Sequence, residues 1–226
     1  MTSYKGYIFP QNTDPIFESS ITGDYSNGDY NKIEADGTQI SIGDATCWDD
    51  IRFPAITANL YVTAGFVDYN YDQGTVDFST SSRYPQEGLL IVAQMPHARK
   101  ADSNIYPHIH WHQTSNGFPN LCYTYRWFNN GDDIPAFSSP IALSASNNVY
   151  TYSGETALAQ ITSIPLPTSG VGKALSSFLC FKLFRDNANT SGLFAGVDTY
   201  TGDFMLKEYD IHIEVDMNGS RQEFVK

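Results

Sequence analysis

Tyr106-Pro107-His108-Ile109-His110-Trp111-His112 places three of the chain's five histidines on alternate residues. Successive side chains of an extended strand point to opposite faces. His108, His110 and His112 therefore share one face, and Ile105, Ile109 and Trp111 the other. Towards the far end of the sequence, Glu208, Asp210, His212, Glu214 and Asp216 alternate with Tyr209, Ile211, Ile213, Val215 and Met217. A period of two sustained over this length specifies a half-buried strand. The apolar faces are expected to build one core. The polar faces carry the chemistry to be explained.

Further strands follow from the same pattern. Thr46–Pro54 reads as a strand ending at a proline, Gly88–Met95 as a central strand, and Phe178–Arg185 and Asp203–Asp216 as the closing pair. Leu121–Phe128 is expected to fold back on the histidine strand as its hairpin neighbour. Short strands are predicted at Ile141–Leu143, Val149–Ser153 and Leu158–Leu166, and residues 64–87 as a long loop with room for a weak edge strand. About eight to ten strands joined by Gly, Pro and Asn turns, with almost no helical periodicity, predict an all-β fold. The expected form is a jelly-roll-like antiparallel β-sandwich with an extended N-terminal arm. Residues 1–45 are assigned to the arm, in which Lys32–Ile40 reads as strand, Asp-Gly turn and strand. Residues 46–226 are assigned to the jelly-roll domain.

The length of 226 residues and an apolar content of 41% support one sizeable core without a disulfide framework. A formal charge of −12 argues against a nucleic-acid backbone or an anionic membrane as partner. Cys47, Cys122 and Cys180 show no CxxC spacing, and the last two read as small buried hydrophobes. The first ten residues lack a basic-then-apolar pattern, and the longest apolar run, Leu89–Ala93, is too short to span a bilayer. Synthesis in a cytoplasm is expected.

The alternating histidines suit a metal ion, with His108 and His110 as a bidentate strand pair and His212 from the acidic strand. Cupin enzymes use such an HxH followed by a Glu and a last His. Here the first glutamate after His112 is Glu155, so that spacing is missing. The plainer alternative is a wet polar face bonded to Asp210 and Glu214 across strands. Were the two strands adjacent, the carboxylates would favour protonated imidazoles. In Trp48-Asp49-Asp50-Ile51-Arg52 the two aspartates point opposite ways and cannot form a glycosidase pair. One is expected to cap a turn and Arg52 to form an ion pair. No nucleophile elbow, zincin motif, phosphate loop or dinucleotide fingerprint occurs, so no enzyme activity is expected. Phe66, Tyr69, Tyr71, Phe78 and Tyr84 offer rings for a glycan or a partner.

Several segments carry a resemblance: Ala35-Asp36-Gly37-Thr38, Gly43–Pro54 (GDATCWDDIRFP), Ala93–His97, Pro107–His110, Tyr125–Gly131, Asp210–His212 and Gly219–Phe224. Over residues 35–226 the chain resembles uncharacterised structural proteins of tailed bacteriophages. The resemblance implies a virion protein on the capsid exterior: a homotrimeric jelly roll serving as head decoration, cement or fibre, with the major capsid protein as partner. HxH pairs also recur around the axis of trimeric phage fibres. The arm would then attach through Tyr4, Tyr7 and Phe9, with Trp48 at the interface. Two other readings stay open: a tail or fibre module binding glycans, and a cupin-like metal-dependent enzyme.

Overall fold

Strand β14 (Phe204–Val215) is the longest in the computed structural model, and three neighbours are hydrogen-bonded to it. The model describes residues 16–18, 28–33, 38–62, 65, 67–143, 158–164 and 169–218. One edge of β14 pairs antiparallel along β9 (Ile105–Gln113). The other edge meets β7 (Thr75–Phe78) at its start and β4 (Cys47–Pro54) over the rest. β12 (Leu158–Ser163) extends this sheet beyond β9, and β6 (Val67–Asn70) extends it beyond β7.

The second sheet runs in the order β11 (Ile141–Leu143), β10 (Leu121–Phe128), β13 (Phe178–Arg185), β8 (Glu87–Gln94) and β5 (Asn59–Val62). From β7 to β14 the chain distributes eight strands between the sheets. β7, β14, β9 and β12 lie side by side in one, and β8, β13, β10 and β11 in the other. That interleaving is a jelly roll, as the alternation predicts. A small sheet of β1 (Ile16–Glu18), β2 (Tyr30–Ile33), β3 (Gln39–Ile42) and β15 (Met217–Asn218) adjoins it.

The core lies between the two large sheets. Phe181 of β13 stacks on Tyr209 of β14 with ring centroids 4.9 Å apart. Trp111 meets Phe204 at 5.2 Å, and Leu89, Ile91, Ile109, Leu183 and Ile211 fill the space around them. Ring pairs of this kind add about 0.5–1.5 kcal/mol each beyond their burial. Two arginines are also fully buried. Arg185 bonds Asp198 through Nε at 2.8 Å and donates to the carbonyls of Phe78, Tyr200 and Gly202. Arg99 donates to the carbonyls of Ser103 and Lys173 and lies 5.9 Å from the centre of the Trp127 ring. Each guanidinium ties strand ends to loops by donating to their backbone carbonyls.

Two expectations are corrected. β10 does not pair with the histidine strand, because both edges of β9 are occupied by β12 and β14; β10 crosses to the other sheet. Residues 64–87 are not a loop throughout: Val67–Asn70 and Thr75–Phe78 form a hairpin, with Gly74 at a positive φ in its turn. Within residues 1–45, β3 pairs with β15 at the end of the domain. The two strands of the predicted hairpin pair, with Ile33 opposite Gln39, and its Asp-Gly turn lies outside the described residues. The strand expected at Val149–Ser153 lies outside the described residues, as do Tyr4, Tyr7, Phe9 and Phe66.

Candidate functional site: the outer face of the six-stranded sheet

β4, β14, β9 and β12 lie side by side and turn one set of side chains away from the core. Register puts Ser163, His108, Asp210 and Arg52 in one row across them. Ile161, His110, Glu208 and Pro54 form the next row, and Tyr106, His212 and Asp50 a third. The pairing of the acidic and histidine strands was foreseeable from their matched alternation. A bulge at Lys207 was not. β14 buries Phe204 and Leu206 before it and Tyr209, Ile211, Ile213 and Val215 after it, so one extra residue shifts the phase by one.

At the centre, Nε2 of His108 and Nε2 of His110 are 3.0 Å apart. Oδ2 of Asp210 lies 3.2 Å from Nε2 of His110 and 3.6 Å from that of His108. Asp210 is only 4% exposed, and its Oδ1 is buried without a hydrogen-bond partner. Arg52 bonds Glu208 at 2.7 Å and approaches Asp210 at 3.9 Å. His212 stacks on His108 with centroids 4.6 Å apart, and its Nδ1 sits 2.7 Å from Asp50. The three histidines proposed as ligands thus come together. The group whose ligand atoms lie close enough to hold an ion is His108, His110 and Asp210, with His212 stacked beside it.

Burial pushes the His108 pKa below the usual imidazole value, and the neighbouring His110 and His212 add to this. Asp210 and a hydrogen bond with the Tyr106 backbone oppose the shift without reversing it. The expectation that the acidic strand would keep His108 protonated is therefore reversed: desolvation outweighs one carboxylate. Burial also raises the Asp210 pKa, helped by Glu208 and opposed by His110, His108 and Arg52. His112 stands apart from the cluster, opposite Met205. Its pKa is lowered, by burial first and then by Lys207. Glu214, expected on the histidines, instead bonds Lys100 and Thr46.

Trp48 and Tyr106 stand edge to face beside this cluster, ring centroids 5.5 Å apart, and are 59% and 46% exposed. Ile161, also exposed, lies across the histidines from them. Two open depressions flank Ile161: one of about 290 Å³ bordered by Tyr106, His108, Ser163 and His212, and one of about 360 Å³ bordered by His110, His112 and Lys207. The aromatic residues of 66–84 are divided. Phe78 is core, Tyr84 packs on Phe184, and Tyr71 stacks on Tyr69 at 5.6 Å over the hairpin.

No protein-family model and no curated protein matches the chain. Among solved structures, one similarity is to a family GH115 4-O-methyl-alpha-glucuronidase with specificity for decorated arabinogalactans. It covers 71% of this chain and 17% of the enzyme, at 12% identity and a TM-score of 0.31. The chain thus spans less than a fifth of that protein's length. Another is to a carbohydrate-binding module with specific mannan recognition, covering 74% of this chain and 88% of the module, at 9% identity and a TM-score of 0.29. Likenesses at this level carry no argument about ligand or activity.

Proposed function

We propose that the chain is a non-catalytic binding domain of a tailed-phage particle, displayed on the capsid exterior, and that the outer face of its six-stranded sheet takes a glycan. The observation that carries the glycan reading is the Trp48–Tyr106 corner, exposed on a sheet and set beside polar groups already held in place. A sugar ring has apolar C–H faces and a rim of hydroxyls. Exposed indole and phenol rings match the faces, and Asp50, His212, Arg52 and Glu208 match the rim. Because Asp50–His212 and Arg52–Glu208 are pre-bonded, little side-chain entropy is lost when a ligand arrives. The flanking depressions are open, which suits reversible recognition better than water-excluding chemistry. Weak single sites of this kind gain strength when many copies are displayed, as on a particle surface.

The particle context rests on the resemblance of residues 35–226. On that reading residues 1–45 make the contact with the major capsid protein, in a homotrimer. A glycan array probed with the full chain and with the Trp48→Ala/Tyr106→Ala double variant tests the face. Binding by the first and its loss in the second, with unchanged thermal unfolding, is the expected result. A folded full chain that binds no glycan, or a double variant that binds equally well, overturns the reading. Antibody labelling of purified particles tests the location, and unlabelled capsids would sink it.

A further inference from the structure

The glycan reading leaves the centre of the face unused. Three atoms converge there: Nε2 of His108, Nε2 of His110 and Oδ2 of Asp210, with separations of 3.0, 3.2 and 3.6 Å. A hydrogen-bond network alone serves them poorly. Two Nε2 atoms 3.0 Å apart cannot both carry a proton, and with the proton on His110 that of His108 is an acceptor. A neutral His110 then has a single N–H for two acceptors. Oδ1 of Asp210, buried and without a partner, adds one more lone pair with nothing to bind. A buried carboxylate oxygen in that state is costly unless something positive completes it.

A small divalent cation satisfies the same geometry. Metal–nitrogen and metal–oxygen bonds of roughly 2.0–2.2 Å in a tetrahedron require ligand atoms about 3.3 Å apart. The three observed separations bracket that value. Two imidazoles and one carboxylate suit zinc or a neighbouring transition ion and disfavour calcium and magnesium, which prefer oxygen. The surroundings fit as well. Asp210, Glu208 and Asp50 outnumber Arg52, whose closest bond is to Glu208 rather than to Asp210. His212, stacked on His108 and anchored to Asp50, fixes that ring from the outer side.

We propose that His108, His110 and Asp210 form a transition-metal site of zinc type, with its fourth position open on the outer face of the sheet. The site lies in one chain and does not depend on the glycan reading. The test uses full-length protein purified without a metal-affinity tag and stripped with chelator. Zn²⁺ is then titrated calorimetrically, and Co²⁺ is added to read coordination from its visible absorption.

The expected result is one equivalent per chain with a tetrahedral cobalt spectrum. His110→Ala, chosen because that side chain is partly exposed and its loss should leave the fold intact, should weaken binding by about 100-fold or more. This is at or beyond what removal of an outer-sphere partner costs. His212→Ala should change affinity by roughly 10-fold, the lower end of what loss of an orienting group costs. Absence of stoichiometric binding overturns the site. So does affinity unchanged in His110→Ala, equal loss in both variants, or one-third of an equivalent per chain, which would mean an ion shared on a threefold axis. Glycan binding measured in chelator separates failure of this site from failure of the aromatic corner.

Discussion

Replacing Arg185 by Met should destabilise the domain by about 3–5 kcal/mol, the range for breaking a buried ion pair on one side. The structure shows where the loss arises. The side chains of Arg185 and Asp198 are both fully buried and meet at 2.8 Å. Removing the guanidinium leaves Asp198 with one remaining donor, the Tyr200 N–H at 2.8 Å. It also strips the donors from the carbonyls of Phe78, Tyr200 and Gly202, at about 1–3 kcal/mol for any that water cannot reach. Urea unfolding followed by tryptophan emission reads the change, with a melting temperature lower by about 6–20 °C for a chain of this size. The pair is more than two charges, and a second variant shows this. In Arg185→Met/Asp198→Asn the stranded charge is gone but the three carbonyls stay bare, so most of the loss should persist. A double variant restored to within about 0.5 kcal/mol of the parent, the scatter of surface substitutions, would refute the reasoning.

Gly88→Ala should cost about 1–3 kcal/mol, since the new methyl carbon would lie 2.6 Å from the Leu183 carbonyl and from the Phe184 ring; an unchanged urea midpoint contradicts this. Trp111→Phe removes the buried 3.0 Å bond from the indole N–H to Thr162 and should cost at least about 1 kcal/mol. Adding Thr162→Val in that background should then cost less than it does alone, and strict additivity would deny the coupling. Burial acts to raise the Glu214 pKa, but hydrogen bonds from Lys100 and Thr46 and the charge of Lys100 together hold it below its ordinary value of 4.5. Its contribution, about 0.5–1 kcal/mol for a partly exposed pair, is thus present above that pH and disappears as pH falls through the lowered value. The stability gap between the parent and Glu214→Gln should narrow in acid, and a gap constant from neutral pH to pH 3 counts against the pair.

The jelly roll was readable because its central strands are half-buried, and half-burial writes itself as alternation. Ile105–His112 and Glu208–Val215 show this, and their matched polar faces foretold the pairing of β9 with β14. Which sheet a strand joins has no such signature: Leu121–Phe128 is apolar enough for either, and only the occupied edges of β9 exclude it. The β6–β7 hairpin was hidden because Val67, Tyr69, Val76 and Phe78 are interrupted by Asp, Asn and Gly. In the site, the histidines and Asp210 across from them were legible from the alternation, but nothing in an acidic strand marks which carboxylate is buried. Its burial depends on flanking strands that are distant in sequence. The buried arginines were invisible for a related reason. Their partners are mostly backbone carbonyls, and a carbonyl has no letter in the sequence.

Lys207 has a consequence out of proportion to its chemistry. Sidedness along a strand is a matter of parity, and this one surplus residue sets the parity of everything after it in β14. Without it, Tyr209, Ile211 and Ile213 would be turned to solvent, and Asp210 and His212 driven towards the interior. Deleting a lysine whose own hydrogen bond goes to the Gln73 carbonyl would therefore erase the whole face at once. No substitution within that face could do as much.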